Sequence, residues 1–381
     1  MLCDTNSRAR VSSFLHLLLF GQVQLRIDQT GSMILFLQVT VTAKVTDGSR
    51  RCYLAVFQLY RIMNPVIAVD LGATNIRVAK ISGNGIIENK ISALTPVFPE
   101  SPEDITDAII RMVRSVAGGK KISELDGIGI SAAGPVNSHL GIVLNPPNIA
   151  IPAIPLAGPI SEEFAIPVRL INDCPAGALG EMYFGDGKGC RDFVYITIST
   201  GIGGGVVSNG KILLGRNGNA AEIGHFHVDT RYNALCGCGC TGHWEAYVSG
   251  RHIPDFFSHW CQEHNIVITG DWAHSPSGIF EAARNGYPGL SDFMDEFSRI
   301  NARGVSNVIV AYDPSRIILD GSVILNNSDL LLPRLNNYVD RFLPLPEIMV
   351  SRLNGLAPLL GASVIAHGYD TAAGSLLAGE E

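Results

Sequence analysis

From Pro65 onward, short apolar runs alternate with polar turns that contain glycine. Val66–Leu71 predicts a buried strand, and residues 76–81 and 85–91 predict two more strands of an antiparallel meander. Residues 105–116 then repeat apolar side chains at helical spacing, behind a capping box at 101–104 with a proline at its second position. This stretch predicts an amphipathic helix packed on a sheet.

The opening pattern returns later in the chain. After predicted strands at 126–131 and 167–171 and a helix at 176–183, residues 193–199 predict another strand. A glycine-rich turn at 200–205 and a return strand at 206–208 follow, and Arg316–Asp320 predicts a late strand. The repeat of strand, polar glycine turn and strand predicts two related lobes.

Residues 1–62 lack the caps and turns of the remainder. We interpret them as a mis-assigned upstream start, with Met63 as the natural first residue; a real accessory strand pair or an anchor is the alternative. The domain hypothesis is a small lobe over 63–175, which a C-terminal helix at 365–381 would complete, and a large lobe over 176–364 that carries the candidate metal and binding loops.

Composition narrows the function classes. The 381 residues are 46% hydrophobic and 17% charged, which is ample for a large core. The net charge of −7 argues against a nucleic-acid surface, and no apolar run has the length of a membrane span. The cysteines outside 236–240 are scattered, as in a reduced cytoplasmic protein.

The densest chemistry lies between residues 221 and 245, AEIGHFHVDTRYNALCGCGCTGHWE. Cys236, Cys238 and Cys240 alternate with glycine, and His225 and His243 flank them, so the ligand set of a tetrahedral zinc site is at hand. Ordinary cysteines without a metal are the alternative, and a Cys-Gly-Cys disulfide would be strained. Because glutamates flank the cluster, we expect the metal to shape a binding loop.

Two strand-turn-strand units are candidates for binding phosphate. In the first, Gly72 permits close approach, Thr74 and Asn75 supply donors, and Asp70 could hold Mg²⁺ through water. In the second, Ser199, Thr200 and the following glycines would form a nest for an anion. Neither is a Walker A or dinucleotide motif, and either one alone could be a plain hairpin.

Asp173 is the candidate general base. It follows a predicted strand, beside Asn172 and between the two predicted lobes. There it could accept a proton from a substrate hydroxyl. The alternative is that Asp173 only caps the helix that starts near Pro175.

Together these motifs resemble the ROK family (repressors, ORFs and sugar kinases) from Met63 onward. The family's zinc signature is matched by Cys236-Gly-Cys238-Gly-Cys240-Thr-Gly242-His243-Trp-Glu245, and its upstream motif by Glu222-Ile-Gly224-His225. The Asp-Leu-Gly-Ala-Thr-Asn loop, Asn172-Asp173 and the loop at 200–205 follow in family order. The resemblance implies an α/β, two-lobed, ribonuclease H-like fold of the actin/hexokinase type with a structural zinc site.

The resemblance also implies site residues. It makes His225, Cys236 and Cys238 zinc ligands; the usual fourth cysteine is replaced by His243, which we favour over Cys240. The implied sugar ligands are Asn148, Asn172, Asp173, Glu222, His225 and Glu245. The implied nucleotide-binding residues are Asp70, Gly72, Thr74, Asn75, Ser199, Thr200, Gly201, Gly203 and Gly321. Asp320-Gly321-Ser322 departs from the successive glycines that the family commonly has near the adenosine.

The implied activity is ATP-dependent phosphorylation of a hexose at its 6-hydroxyl, foremost glucose to glucose 6-phosphate at the entry to glycolysis. Kinases for N-acetylmannosamine, N-acetylglucosamine, fructose or allose are the alternatives, and a sugar-responsive transcriptional repressor is a more distant one. The implied cofactors are ATP, Mg²⁺ and structural Zn²⁺. We expect a cytoplasmic homodimer or higher homo-oligomer that binds neither nucleic acid nor membrane.

Overall fold

The computed structural model describes residues 18–27, 33–43, 52–61, 63–96, 98–118, 122–146, 149–370 and 375–376. The chain divides into two units, 1–63 and 64–381. The first unit contains an antiparallel sheet whose three strands pair in chain order: β1 (Leu18–Ile27), β2 (Met33–Ala43) and β3 (Cys52–Arg61). Other parts of the segment that we set apart at 1–62 lie outside the described residues.

The second unit is built of strands and helices in alternation. Its strands are β4 (Val66–Leu71), β5 (Asn75–Ile81), β6 (Ile87–Leu94), β7 (Ile128–Ala132), β8 (Val136–Asn137), β9 (Ile142–Leu144), β10 (Ala153–Pro155), β11 (Val168–Asn172), β12 (Phe193–Ile198), β13 (Ile202–Ser208), β14 (Lys211–Ile212), β15 (Arg316–Asp320), β16 (Glu347–Val350), β17 (Tyr369–Asp370) and β18 (Ser375–Leu376). Its helices are α1 (Pro102–Ala117), α2 (Ala157–Phe164), α3 (Asp173–Phe184), α4 (Glu245–Val248), α5 (Ile253–Glu263), α6 (Pro276–Arg284), α7 (Leu290–Tyr312), α8 (Ser322–Tyr338) and α9 (Ala357–Ala366).

Two five-stranded sheets repeat one topology. The first has the order β11-β7-β4-β5-β6 and the second β14-β13-β12-β15-β16. In each sheet an antiparallel meander supplies three strands. A fourth strand pairs in parallel with the first strand of the meander, and a fifth strand pairs in parallel with the fourth. The repeated topology confirms the duplication that the sequence predicted. The short strands β8–β10 and the pair β17–β18 form separate small sheets.

Helices cover the sheets with apolar faces. The helix α1 starts as its capping box predicts, with the Asp104 carboxylate accepting from the Ser101 amide at 3.0 Å, and it buries Ile105, Ile109 and Val113. Against the second sheet, an aromatic cluster forms the main core; its rings come from Phe256, Phe257, Trp260, Phe293 and Phe297.

The helices α3 and α9 join the two sheets. α9 packs on α3 and on β4 and β7 of the first sheet, whereas α3 packs on β12 and β13 of the second. The crossing is so close that a Cβ atom added at Gly361 would lie 1.7 Å from the Ala176 carbonyl oxygen. Only glycine allows this approach, which places the start of α3 between the two sheets.

The strands Val66–Leu71 and Arg316–Asp320 have the predicted bounds, and α1 and α3 extend the predicted helices by a turn or less. Of the helix expected over 365–381, the described residues contain only the end of α9, which stops at Ala366; the strands β17 and β18 follow it. Gly368, with a φ of 86°, adopts the left-handed conformation that ends helices. Within the described residues, no helix combines the length and the apolar character needed to cross a membrane.

Candidate active site

Asp173 is the first residue of α3, directly after β11. The helix cap, however, is Asn172: its Oδ1 accepts from the Cys174 amide at 3.0 Å, and its Nδ2 donates to the Gly134 carbonyl at 2.8 Å. Asp173 is therefore not used as the cap, contrary to the alternative that the sequence left open. The Cys174 thiol donates to Asp173 Oδ1 at 3.4 Å.

The surroundings of Asp173 favour its protonated form. Burial is the largest cause that raises its pKa to about 7, and the negative charge of Asp70 comes next. The charge of Glu222 raises the pKa further, while hydrogen bonds from Cys174 lower it. A carboxylate that titrates near neutrality is suited to accept a proton from a hydroxyl and to release it again.

The first candidate phosphate loop joins β4 to β5. The Gly72 amide donates to the Asn75 carbonyl at 3.0 Å, and Thr95 fixes the turn through bonds to Gly72 and Thr74. The side chains of Thr74 and Asn75 are exposed and remain available as donors. The loop is thus held by hydrogen bonds to its backbone, and its two polar side chains are exposed to solvent.

Asp70, the acid at the base of this loop, is buried. Its Oδ2 accepts from Arg77 Nε at 2.7 Å and Nη2 at 2.5 Å, and its Oδ1 from the Ser131 hydroxyl at 3.2 Å. No motif marks Arg77 in the sequence; it faces Asp70 because the two residues are register partners in β4 and β5. One oxygen of Asp70 is thus held by a guanidinium, and the other keeps capacity for a further ligand.

The second candidate loop is shorter than predicted. The turn ends at Gly201, whose carbonyl accepts from the Ser199 amide at 2.9 Å, and β13 begins at Ile202. The glycines at 203–205 therefore lie in a strand and do not form a nest, which corrects the predicted turn at 200–205. The reason is packing: a Cβ atom at Gly203 would lie 2.2 Å from Cys174 Sγ, and one at Gly205 would lie 2.3 Å from the Cys174 carbonyl oxygen.

A cavity of about 980 Å³ opens beside this turn. Ser199 and Thr200 line it together with Ser322, the residue after Gly321. Gly321 has a φ of 92°, and its amide donates to Asp320 Oδ1 at 2.8 Å, so the chain turns sharply into α8 there. The sequence did not point to the rest of the lining, because no motif marks it: Gly250, Arg251, Pro276, Ser277, Glu281, Arg284, Val323, Asn326 and Asn327.

Glu222, whose charge acts on Asp173, is linked by charge to a second glutamate, Glu245. Glu245 begins α4, and its Oε2 accepts from the Ile202 amide at 2.9 Å, which ties it to the second loop. Burial raises the pKa of Glu222; the His225 charge lowers it, and the Glu245 charge raises it. Asn172, Asp173, Glu222 and Glu245 are thus linked by contact or charge, whereas Asn148 lies outside the described residues.

The predicted ligand cluster is assembled. One ligand atom each from His225, Cys236, Cys238 and His243 lies within 4.8 Å of all the others. The Cys236 thiol is 3.8 Å from His225 Nδ1, and the Cys238 thiol and His225 Nδ1 are each 3.3 Å from His243 Nδ1. Cys240 is exposed and is not in this group, so the geometry favours His243 as the fourth residue.

Two sheets of one topology, joined by crossed helices with an acid at their junction, define an α/β fold of the actin/hexokinase type. The chain belongs to the ROK family, whose model matches residues 66–369. A glucokinase of Pyrobaculum calidifontis is 32% identical over 307 residues, covering 80% of this chain and 96% of that protein.

Two further relatives match a similar share of the chain. The crystal structure of a ROK family glucokinase from Streptomyces griseus in complex with glucose and AMPPNP is 31% identical with a TM-score of 0.66, covering 79% of this chain and 98% of that one. An N-acetylmannosamine kinase of Shigella flexneri is 29% identical over 305 residues, covering 80% of this chain and 98% of that protein. The resemblance stated from the motifs is thereby confirmed.

Proposed function

We propose that this chain transfers the γ-phosphoryl group of ATP to the 6-hydroxyl of a hexose, and that the hexose is glucose. The observation that carries the proposal is Asp173: a carboxylate that is not used as a helix cap, with a pKa of about 7, at the junction of two lobes that each present a polar turn. The relatives named glucokinase support the choice of sugar.

In this mechanism Asp173 accepts the proton of the 6-hydroxyl as its oxygen attacks phosphorus. Such assistance contributes about 10²- to 10⁴-fold in rate. The Thr74 and Asn75 side chains and the backbone of the turn from Ser199 to Gly201 would donate to the phosphates. Donors in fixed positions lower the barrier because they need no rearrangement when charge moves.

The donor set around Asp70 suits a magnesium ion. Asp70 Oδ1 has one hydroxyl as partner in the described contacts and would hold Mg²⁺ through water. When it is bound with ATP, the ion offsets charge on the phosphates. Arg77 keeps the Asp70 carboxylate in place meanwhile.

Sugar binding is assigned to Asn172, Glu222, His225 and Glu245, together with Asn148 on grounds of resemblance. Glu222 and Glu245 offer acceptors for ring hydroxyls, and buried acceptors discriminate against sugars that lack the matching hydroxyl. His225 directs Nδ1 towards the other cluster residues, which leaves Nε2 for a hydroxyl. A metal on Nδ1 would place the imidazole proton on Nε2 and make it a donor.

For the cluster itself we propose a structural zinc ion held by His225, Cys236, Cys238 and His243. Ligand atoms around one tetrahedral zinc ion are about 3.3–3.8 Å apart. The contacts of 3.3 and 3.8 Å within the cluster support this fit. The site would set the loop that carries His225 and Glu245 and would not activate water.

An N-acetylmannosamine kinase is the second candidate, because one such relative covers the same share of this chain. The test is ADP release from Mg·ATP by the full chain, with glucose, N-acetylmannosamine, N-acetylglucosamine, fructose and allose. The product is then identified by phosphorus NMR. Fastest turnover with glucose and a 6-phosphate product support the proposal; a faster N-acetylmannosamine reaction replaces the sugar, and no turnover with any of them contradicts kinase function.

A further inference from the structure

Arg77 links the first phosphate loop to the opposite lobe. Two of its nitrogens donate to Asp70 Oδ2, at 2.7 and 2.5 Å, and the third, Nη1, donates to the Gly355 carbonyl at 2.7 Å. All three guanidinium nitrogens are therefore engaged by two acceptors that are far apart in sequence. A guanidinium can do this because its donors are fixed in one plane, whereas an ammonium is a point charge.

Gly355 is held from its other side by the second sheet. Its amide donates to Asp320 Oδ1 at 3.1 Å, and the Tyr195 hydroxyl donates to Asp320 Oδ2 at 3.0 Å. Asp320 ends β15 and is 1% exposed, so this anchor is fixed in the core. Gly355 has a φ of 77°, a conformation in which its amide and carbonyl serve the two neighbours at once.

The resulting chain of contacts runs from Asp70 through Arg77 and Gly355 to Asp320. It begins beside the first loop and ends one residue before Gly321, at the cavity that Ser322 lines. Both ends are thus next to residues assigned to the nucleotide, Thr74 and Asn75 at the first end and Gly321 at the second.

We propose that Arg77 is a positioning residue for phosphoryl transfer, which sets Asp70 relative to the second lobe by holding the Asp70 carboxylate and the Gly355 carbonyl together. This inference rests on the proposed function, since it concerns the alignment of the phosphate groups with the acceptor. It predicts an effect on kcat, because a misplacement of about 1 Å can cost on the order of 10²-fold in rate. The side-chain hydrogen bonds of Arg77 go to Asp70 and Gly355, and neither residue is assigned to the sugar, so the KM for glucose is expected to change little.

The experiment compares Arg77→Met and Arg77→Lys with Lys80→Met in the full chain. Lys80 lies on the same strand and is similarly paired, at 2.8 Å, with Glu88. Its register partner in β4 is Ile67, which is not assigned to the candidate site. Melting temperature establishes folding, and kcat and KM are measured for glucose and for ATP. We expect a kcat loss of about 30- to 100-fold for Arg77→Met and about 5- to 10-fold for Arg77→Lys, with glucose KM within about 3-fold. Lys80→Met is expected to keep the wild-type kcat.

Arg77→Lys keeps the positive charge, and it provides the test if Arg77→Met does not fold. A folded Arg77→Lys with wild-type kcat overturns the inference, and so does an equal loss of kcat in Lys80→Met, which would indicate a general effect on the strand. Wild-type protein without activity on any sugar would instead remove the proposed function, and this inference with it.

Discussion

Gly205→Ala is predicted to slow catalysis from a position that contacts no substrate. Gly205 lies in β13, and the Cβ atom of alanine would lie 2.3 Å from the Cys174 carbonyl oxygen and 2.8 Å from the Ala178 side chain. Relaxed contacts need at least about 3.4 Å, so the first turn of α3 must move by roughly 1 Å. Asp173 is in that turn and would move with it.

The size of the effect follows from this displacement. Overpacking of a well-packed interior costs about 1–3 kcal/mol, and a 1 Å shift of a reacting group costs on the order of 10²-fold in rate. The neighbour is a backbone carbonyl of a capped helix, which cannot move away by rotation of a side chain. We therefore expect kcat to fall about 100-fold and the melting temperature to fall by several degrees, about 2–4 °C per kcal/mol.

The matched control is Gly158→Ala, which lies inside α2 and has no atom within 4 Å of its added Cβ. It should retain wild-type kcat and be equally or slightly more stable, because alanine favours helix. Steady-state assays give kcat, and calorimetric unfolding gives the melting temperature, for both variants. A Gly205→Ala enzyme as fast and as stable as Gly158→Ala would refute the claim that α3 packs this closely on β13 because residue 205 is glycine.

Two further predictions concern the titration of the base and the metal. Because Asp173 must be ionised to accept a proton and its pKa is about 7, kcat/KM should fall about tenfold per pH unit below pH 7 and level off above it; a flat profile from pH 5.5 to 8 would contradict this. Protein purified without chelator should contain one zinc ion per chain by mass spectrometry. His243→Ala should lose most of it, whereas Cys240→Ser should keep it, and the reverse pattern would assign the fourth ligand to Cys240.

The sequence predicted the features that depend on local pattern. Three such features each lie in a short window: the apolar run of β4, the capping box of α1 and the spacing of the cysteines. The run of β4 also locates the first candidate phosphate loop, and the cysteines locate the ligand cluster. The duplication of strand and turn was visible for the same reason. Asp173 was singled out because strand ends and polar pairs can be read locally, although the sequence left open whether it is the general base or only the cap of α3.

The features that were missed depend on distant contacts. The glycines at 203–205 are typical of a turn, and only the approach of α3 gives their reason for being in a strand. Arg77 reads as an ordinary strand residue until Gly355 is placed beside it. Most of the cavity wall beside Ser199 comes from α6 and α8, more than 70 residues away along the chain, with no motif to mark them.

The central claim is that Asp173 is the base of a sugar kinase, and Asp173→Asn tests it most directly. The substitution keeps the size of the side chain, so glucose binding measured by calorimetry should stay within about 10-fold of wild type. The rate of ADP release with glucose should fall by about 10²- to 10⁴-fold, the contribution of general base catalysis. An Asp173→Asn protein that binds glucose and turns over at the wild-type rate would contradict the account.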